Sequence, residues 1–182
     1  MSSQSNRNTL SSSSEGKQAS LLLKKQLQEL TKNPIEGFSA GLKDDSNLFE
    51  WQIVIMGPED SPYEGGFFKT SLVFPKDYPV MPPKMKFESE FFHPNVYPDG
   101  TVCISILHPP GDDQYGYESA AERWSPVHTV TTILLSVISM ISDPNLESPA
   151  NIDAAKMMRD NPTEYRKRVA RIVRKSQEEA WD

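Results

Sequence analysis

The stretch FEWQIVIMGPEDSPYEGGFFKTSLVF, residues 49–74, decides the fold class. Before its Gly- and Pro-rich middle, and again after it, large apolar side chains recur at alternate positions. They are Phe49, Trp51, Ile53 and Ile55 in the first half and Phe68, Leu72 and Phe74 in the second. A period of two is typical of a strand with one buried face. The loop between the halves, residues 57–66, is turn-rich, so we predict two neighbouring antiparallel strands.

Weaker strand patterns flank this pair on both sides. Residues 38–43 precede it, and Met85 and Phe87 follow it with the same period of two. Consecutive strands that are joined by short turn-rich loops form a meander. We therefore predict a four-stranded antiparallel meander sheet.

The N-terminal part of the chain divides into a polar tail and a helix. Residues 1–16 are rich in serine and contain one large apolar side chain besides Met1, so they bury too little surface to offset the entropy of ordering. We predict a disordered Ser-rich tail over residues 1–16 and a folded domain over residues 17–182. From Lys17 on, leucines at positions 23, 27 and 30 give a helical period, which ends before Pro34.

A central helix has the clearest pattern in the chain. Its apolar side chains are Val130, Ile133, Leu134, Val137, Ile138 and Ile141. This spacing of three and four residues is typical of a helix that packs one face on a sheet. Two further helices are predicted at residues 151–160 and from Asn161 onward, where Pro162 occupies the first helical position. One block of strands flanked by helices predicts an α+β fold.

Composition and charge exclude several classes of protein. The 182 residues carry 19 basic and 25 acidic side chains, a net charge of −6, which gives no long-range attraction to nucleic acid. One cysteine excludes a disulfide-bonded secreted scaffold. No apolar run approaches the ~20 residues of a membrane-spanning helix, and the start lacks the apolar core of a signal peptide. We expect one soluble cytosolic or nuclear domain that does not insert into membranes.

Metal and nucleotide sites are not predicted. The three histidines, His93, His108 and His128, and the one cysteine lack the spacing of metal ligands. No glycine loop of the phosphate-binding kind is present. We expect neither a metal nor a cofactor. The basic residues of the last predicted helix have no interleaved aromatic side chains, so we interpret them as a solvated face.

Cys103 is the single thiol of the chain. A lone cysteine is commonly a small buried apolar residue. This one lies outside any periodic apolar face and follows His93-Pro94-Asn95 by ten residues. The Asn95 amide offers a neutral N–H donor of the kind that a developing oxyanion needs. The residues alone leave both a packing role and a nucleophilic role open for the thiol.

A long acidic segment follows the thiol. Its carboxylates are Asp112, Asp113, Glu118 and Glu122, and they lie between Cys103 and Trp124. Residues 88–127 show no sustained period and are predicted to form a long loop, which in a compact domain is usually functional or disordered. A solvated loop is the simplest interpretation of such a charge run.

Several motifs resemble, in order and spacing, the ubiquitin-conjugating enzymes. They are Tyr63-Glu64-Gly65-Gly66-Phe67-Phe68, Phe74-Pro75-Lys76-Asp77-Tyr78-Pro79 with Pro82-Pro83-Lys84, His93-Pro94-Asn95 with Gly100 and Cys103, Trp124-Ser125-Pro126, and Asp143-Pro144-Asn145. The resemblance covers nearly everything but the tail. The acidic insert, at about residues 108–123, is similar to that of the acidic-loop subclass, and the sequence around it looks closest to the G-type members.

The resemblance implies roles for individual residues. Cys103 would accept the C-terminal carboxyl of ubiquitin from an activating enzyme as a thioester. Asn95, in one motif with His93, would stabilise the oxyanion or hold the nearby loop in shape. Ser148 matches a gating position that is often acidic in the family. The ligase-binding surface would combine Leu22, Lys25, Val80, Pro126 and Val127.

The subclass resemblance implies a more specific function. The enzyme would work with RING-type ligases on substrate lysines and build the polyubiquitin chains that mark proteins for the proteasome. The ATP would be used by the activating enzyme, not by this chain. A partner protein could recruit the enzyme to the surface of the endoplasmic reticulum.

The transfer to lysine is the demanding step of such a reaction. A thiol with a pKa of ~8.5 is about 3% thiolate at pH 7, whereas a lysine with a pKa of ~10.4 is neutral only about 0.04% of the time. Desolvation would favour the neutral amine, while nearby carboxylates favour the ammonium and would serve to orient it.

Two other functional classes are open on the sequence. A ubiquitin-binding module on the same fold would have lost its thiol, yet Cys103 is present. A cysteine protease would need a Cys-His-Asn set drawn from Cys103, His93 or His108, and Asn95, but no protease signature surrounds the thiol. Thioester formation with ubiquitin separates these classes from a conjugating enzyme.

Overall fold

The structure, a computed structural model, describes residues 5–111 and 121–180. Its elements in chain order are α1 (Ser5–Lys32), β1 (Phe38–Leu42), β2 (Glu50–Met56), β3 (Phe67–Val73), β4 (Lys84–Phe87), α2 (Val130–Ser142), α3 (Ile152–Asp160) and α4 (Pro162–Glu179). A short 3-10 helix, Ser105–Leu107, lies between β4 and α2. The predicted α+β fold is confirmed.

The sheet is an antiparallel meander. Its order is β1-β2-β3-β4, and every strand pairs with its neighbour along the chain. In β2 the residues Trp51, Ile53 and Ile55 are fully buried while the residues between them are not. The period of two therefore places one face of the sheet against the core, as predicted.

The core lies between this sheet and the helices. From α2, Ile133, Leu134 and Val137 are fully buried; Leu23 of α1 and Val169 of α4 join the same cluster. Burying such a side chain stabilises the fold by about 1.5–3 kcal/mol.

Polar side chains cap the helices next to the core. Thr129 and Thr132 form a reciprocal capping box at the start of α2. The Asn161 side chain caps α4, and Pro162 follows it at the predicted first helical position. These caps fix where α2 and α4 begin.

The N-terminal helix differs from the prediction of a disordered tail over residues 1–16. In the structure α1 begins at Ser5, well before Lys17. Residues 5–16 contain no proline, and adding a turn to an existing helix is far easier than nucleating a new one. Among the side chains that the structure describes in α1, from Ser14 on, the first buried one is Ala19.

The segment predicted to be a long loop contains short ordered pieces. Lys86 bridges to Thr101 and Val96 bridges to Val102, both antiparallel. Sequence periodicity did not show these contacts because single bridges and one 3-10 turn have no repeat to detect.

Two buried tyrosines tie α4 to this segment. The hydroxyls of Tyr63 and Tyr165 contact each other and both donate hydrogen bonds to the carbonyl of Phe92. Burial raises the pKa of Tyr165 to about 12 and that of Tyr63 well above its usual range, so both stay protonated donors. The residue next along the chain from this clamp is His93.

Candidate active site

Short backbone contacts place Cys103 beside the His93-Pro94-Asn95 motif. The bridge between Val96 and Val102 brings the two segments together, and the Cys103 amide donates a hydrogen bond to the Asn95 carbonyl at 2.9 Å. Ten residues of sequence separation are thus closed by a tight antiparallel turn.

His93 is a fixed structural residue. It is fully buried; its Nε2 lies 2.9 Å from the Met140 carbonyl, and its Nδ1 accepts from the Asn95 amide at 3.0 Å. A carbonyl can only accept and an amide N–H can only donate, so the proton is on Nε2. Burial lowers the pKa of His93 to about 4, which keeps the ring neutral at physiological pH.

The Asn95 side chain holds the loop that follows α2. Its Oδ1 accepts from the Asn145 amide at 2.8 Å and its Nδ2 donates to the Asn145 carbonyl, also at 2.8 Å. An Asn amide carries two N–H groups, and this contact uses one of them. The geometry supports the loop-holding role among the two that the resemblance implied.

An open cleft of about 620 Å³ surrounds the thiol. Its lining includes Cys103, Asn95, His108, Glu122, Arg123, Ser136, Ser139, Asp143, Glu147 and Ser148. Ser148, the predicted gating residue, is exposed at the rim beside Glu147. Three carboxylates of the lining, Glu122, Asp143 and Glu147, outnumber the one guanidinium, Arg123, and this net negative charge suits an incoming ammonium group.

The sequence analysis named His108 only as a candidate of the protease alternative, and it did not name Tyr97 as a site residue. The Nε2 atom of His108 lies 3.6 Å from the Cys103 sulfur, within the range of a hydrogen bond that involves sulfur. The Cys103 thiolate raises the pKa of the nearby Tyr97 hydroxyl. Both residues lie within six positions of Cys103 in the sequence, which was the only hint of a contact. The contacts themselves are visible only in the folded turn.

Of the four carboxylates of the acidic segment, Glu122 lies within the described residues and lines the cleft. Asp112, Asp113 and Glu118 lie outside the described residues. Arg123, next to Glu122, donates to the Gly111 carbonyl at 2.8 Å and so closes the base of the insert.

The residues of the predicted ligase surface lie on elements that contact each other. The Gln26 side chain on α1 accepts hydrogen bonds from the Tyr78 hydroxyl and from the Val130 amide, and the Trp124 indole donates to the Pro79 carbonyl. These bonds join α1, the loop at residues 78–80 and the segment before α2. Lys25, Val80, Pro126 and Val127 are exposed there, and Leu22 is half-buried.

Neither a metal site nor a membrane-spanning helix is found in the part of the chain that the structure describes. Among the described residues there is no group of three acidic, histidine or cysteine side chains that could hold a metal ion. No helix in the described ranges is long and apolar enough to cross a membrane.

Comparison with known proteins agrees with the geometry. The family profile described as "Ubiquitin-conjugating enzyme" matches residues 22–173. "Ubiquitin-conjugating enzyme E2 15" of Schizosaccharomyces pombe is 68% identical over 155 residues, which cover 85% of this chain and 93% of that protein. "Ubiquitin-conjugating enzyme E2 G2" of Homo sapiens is 59% identical over 149 residues, 82% of this chain and 90% of that protein.

A solved structure gives the same result. The structure of human ubiquitin-conjugating enzyme E2 G1 is similar with a TM-score of 0.62 and 60% identity, over 69% of this chain and 96% of that one. Enzymes of this family are transferases that carry ubiquitin as a cysteine thioester, and they act with ubiquitin, an activating enzyme and ligases. The chain belongs to the ubiquitin-conjugating enzymes and is similar to their G-type members.

Proposed function

We propose that Cys103 carries the ubiquitin thioester and that the enzyme, with a RING-type ligase, builds polyubiquitin chains that signal proteasomal degradation. One observation supports the first part of the proposal. The enzymes of this family work through a cysteine thioester, and this chain has one cysteine to form it. That cysteine is partly exposed in the cleft, where a large acyl group can reach it.

The roles of the neighbouring residues follow from their contacts. The His93 ring accepts from the Asn95 backbone amide and so fixes the backbone beside the thiol. The Asn95 side chain binds the Asn145 backbone and so holds the loop that follows α2. Ser148 lies at the rim of the cleft, where the incoming lysine would pass an uncharged hydroxyl group. The carboxylates Asp143 and Glu147 line the cleft and would orient the lysine ammonium.

The acidic insert supports the chain-building part of the proposal. Asp112, Asp113, Glu118 and Glu122 supply four negative charges close in sequence to the thiol. Such a group would attract a basic surface of an acceptor ubiquitin or of a ligase, and salt would weaken the attraction.

The ligase proposal depends on an exposed apolar surface. Val80 and Val127 are 57% and 82% exposed, and the Trp124–Pro79 hydrogen bond links the segments that carry them. Exposed apolar side chains on neighbouring segments are typical of protein interfaces. Hydrogen bonds of Gln26 and Trp124 hold their segments together. We propose a site of action in the cytoplasm or nucleus, with a partner for recruitment to the endoplasmic reticulum.

Loading with ubiquitin tests the proposal directly. Incubated with activating enzyme, ATP and ubiquitin, the wild type should give an adduct that a thiol reductant removes. Cys103→Ser should give an oxyester that resists reductant and yields to alkali, and Cys103→Ala should give neither. A reductant-sensitive adduct on Cys103→Ala would contradict the assignment.

Linkage analysis of products tests the second part. With a RING-type ligase added, the wild type should form chains, and Val127→Asp should load normally while ligase stimulation is lost. Single ubiquitins as the only products, with every ligase tried, would overturn the chain-building proposal and leave the thioester assignment intact.

A further inference from the structure

The loop between α2 and α3 is fastened at both of its ends. At one end the Asn95 side chain binds the backbone amide and the carbonyl of Asn145, both at 2.8 Å. At the other end the Asn151 amide donates to the Pro94 carbonyl at 3.0 Å. Pro94 and Asn95 are consecutive, so one short piece of backbone next to the thiol holds both ends. This doubly held loop, residues 145–151, is called the strap below.

The strap forms part of the wall of the cleft. Asn145, Glu147 and Ser148 all line the cleft around Cys103. The side chains of residues 145–148 are exposed, so core packing does little to fix them. The Glu147 amide donates to the Asn145 Oδ1 at 3.0 Å, which shapes one turn of the strap from within. The position of the strap relative to the thiol therefore depends on how firmly its two ends are held.

Asn151 holds the second end by capping α3. Its Oδ1 accepts from the Ala154 amide at 3.0 Å, and its carbonyl accepts from the Ala155 amide at 3.1 Å. Asn151 is 8% exposed, and Ala154 is fully buried. The cap thus joins Asn151 to the first turn of a helix whose inner face belongs to the core. Its own backbone amide, the donor to Pro94, is held in place by the same contacts.

Helix capping by itself does not call for the bond to Pro94. Asn161 caps α4 with the same chemistry, since its Oδ1 accepts from the Glu164 amide at 3.4 Å. The backbone amide of Asn161, however, donates to the Met157 carbonyl in the preceding helix. The two caps therefore differ in what their backbone amides bind. Only the Asn151 amide ties a helix start to the backbone beside the thiol.

We propose that Asn151 is a positioning residue for the transfer of ubiquitin to lysine, and that it acts by fixing the strap and with it Glu147 and Ser148. The inference rests on the proposed role of Cys103. A carboxylate can orient an incoming ammonium group only if the distance between them is well defined, which requires a fixed strap. Thiol exchange during loading brings no ammonium group into the cleft, so loading does not need this order.

The test compares Asn151→Ala with Asn161→Ala, which is the same substitution at the cap of α4. The full-length enzyme is loaded with ubiquitin, freed of activating enzyme and allowed to discharge to free lysine without a ligase. Hydroxylamine serves as a second acceptor because it is neutral at physiological pH and has no ammonium group to orient. Asn151→Ser is the conservative variant, since a serine oxygen also caps a helix.

The expected result is a selective defect. Asn151→Ala should discharge to lysine about 10-fold more slowly, because a small displacement of groups that orient a substrate can cost up to ~10²-fold. Its loading and its reaction with hydroxylamine should stay near the wild-type rates. Asn161→Ala should match the wild type in all three measurements, and Asn151→Ser should recover most of the lysine rate.

Hydrogen exchange gives a readout that does not depend on activity. In Asn151→Ala the amides of the strap should exchange faster than in the wild type, while those of α2 keep their protection. In Asn161→Ala the strap should exchange as in the wild type. Urea midpoints of the two alanine variants should fall by similar amounts, since each loses one helix cap. A difference in lysine discharge between them then reports on the strap and not on stability.

Three outcomes would overturn the proposal. They are a wild-type lysine rate in Asn151→Ala, an equal loss with lysine and hydroxylamine, and an equal lysine defect in Asn161→Ala. If Asn151→Ala does not fold, the same rates are measured on Asn151→Gly, which also lacks the cap oxygen but destabilises a helix start less than alanine does. A failure of Cys103 as the acceptor would appear as absent loading of the wild type, and so is distinguishable.

Discussion

The side-chain amide of Asn95 binds both the backbone amide and the backbone carbonyl of Asn145, which makes its replacement informative. Asn95→Ala removes two hydrogen bonds and should lower the free energy of unfolding by about 1–3 kcal/mol. Loading should remain nearly normal, while discharge to lysine should slow by about 10²–10³-fold if the second N–H also supports the oxyanion. Denaturant unfolding and single-turnover rates give the two numbers.

Asn95→Asp is the matched variant for this prediction. It keeps the oxygen that accepts from Asn145 and replaces the donor by a second oxygen that faces a carbonyl. Discharge should therefore be impaired as in Asn95→Ala. Equal losses in loading and discharge for both variants would indicate a general folding defect instead.

His93 links stability to pH. Its pKa is about 4 in the folded protein against 6.5 for a free histidine, so between these values the unfolded chain binds more protons. The stabilisation is complete above pH 6.5 and is lost as the pH falls toward 4, by about 3 kcal/mol in total. Urea unfolding from pH 7 to pH 4 measures this slope.

His93→Gln should remove that part of the pH dependence, whatever its effect on stability at pH 7. His128→Gln changes a partly exposed imidazole and serves as the control. An unaltered slope in His93→Gln would show that other groups cause the loss of stability in acid.

The two kinds of site residue differ in how far sequence could predict them. Cys103 and Asn95 belong to the motifs that resemble the family, so the sequence alone predicted them as site residues. His108 and Tyr97 have no periodic pattern around them, and their contacts with the thiol arise from a 3-10 turn and a single bridge. A turn of this kind places side chains by local backbone angles that residue types specify only weakly.

Among the elements, the acidic insert offers the sharpest experiment. Replacing Asp112, Asp113, Glu118 and Glu122 by their amides should leave loading intact, slow chain extension and flatten its dependence on salt. The reason is that the attraction between exposed charges weakens when the Debye length shrinks, from about 14 Å at 50 mM to about 6 Å at 300 mM salt. Rates of chain extension at both salt concentrations provide the measurement.

A charge-matched variant controls for the change in net charge. Glu36, Asp45, Glu59 and Glu178 are exposed carboxylates outside the cleft, and their replacement alters the net charge by the same amount. This control should extend chains with the wild-type salt dependence. If the insert variant behaves like the control, the insert is a solvated loop without a role in extension.

The elements whose apolar side chains repeat regularly in the sequence were predicted correctly, together with the elements next to which they lie. Strands β2 and β3 and helix α2 each bury one face, and a buried face leaves a repeat in the sequence. Helix α1 starts earlier than predicted, and extending a helix that already exists costs far less than nucleating a new one. Residues 88–111 could not be predicted in detail because their described regular contacts are isolated bridges and one 3-10 turn, which leave no repeat in the sequence.

At the scale of the whole molecule, the boundary of the folded domain can be measured. Residues 1–16 hold one large apolar side chain besides Met1, and among the described side chains of α1, from Ser14 on, the first buried one is Ala19. We therefore expect deletion of residues 1–16 to change the free energy of unfolding by less than about 0.5 kcal/mol. Loading with ubiquitin should also be unchanged. Thermal or urea unfolding of the truncated chain checks this.

Leu23→Ala provides the contrast in the same helix. Leu23 is fully buried, and such a truncation typically lowers stability by about 2–5 kcal/mol. A loss of that size on deletion of residues 1–16 would show that the N-terminal extension of α1 belongs to the folded domain.

The tyrosine clamp on Phe92 has a consequence for synthesis on the ribosome. The sheet pairs only strands that are neighbours in sequence, so it can form early, as chains rich in local contacts fold fast. The clamp instead joins Tyr63 to Tyr165, a separation of 102 residues. At about 5–20 residues per second, a nascent chain spends seconds with its sheet uncovered by α4 before that helix emerges from the ribosome. During that interval the Phe92 carbonyl, next to His93, lacks its hydrogen bond from Tyr165. We therefore expect that ubiquitin transfer through Cys103, as proposed above, requires the C-terminal helix to be in place.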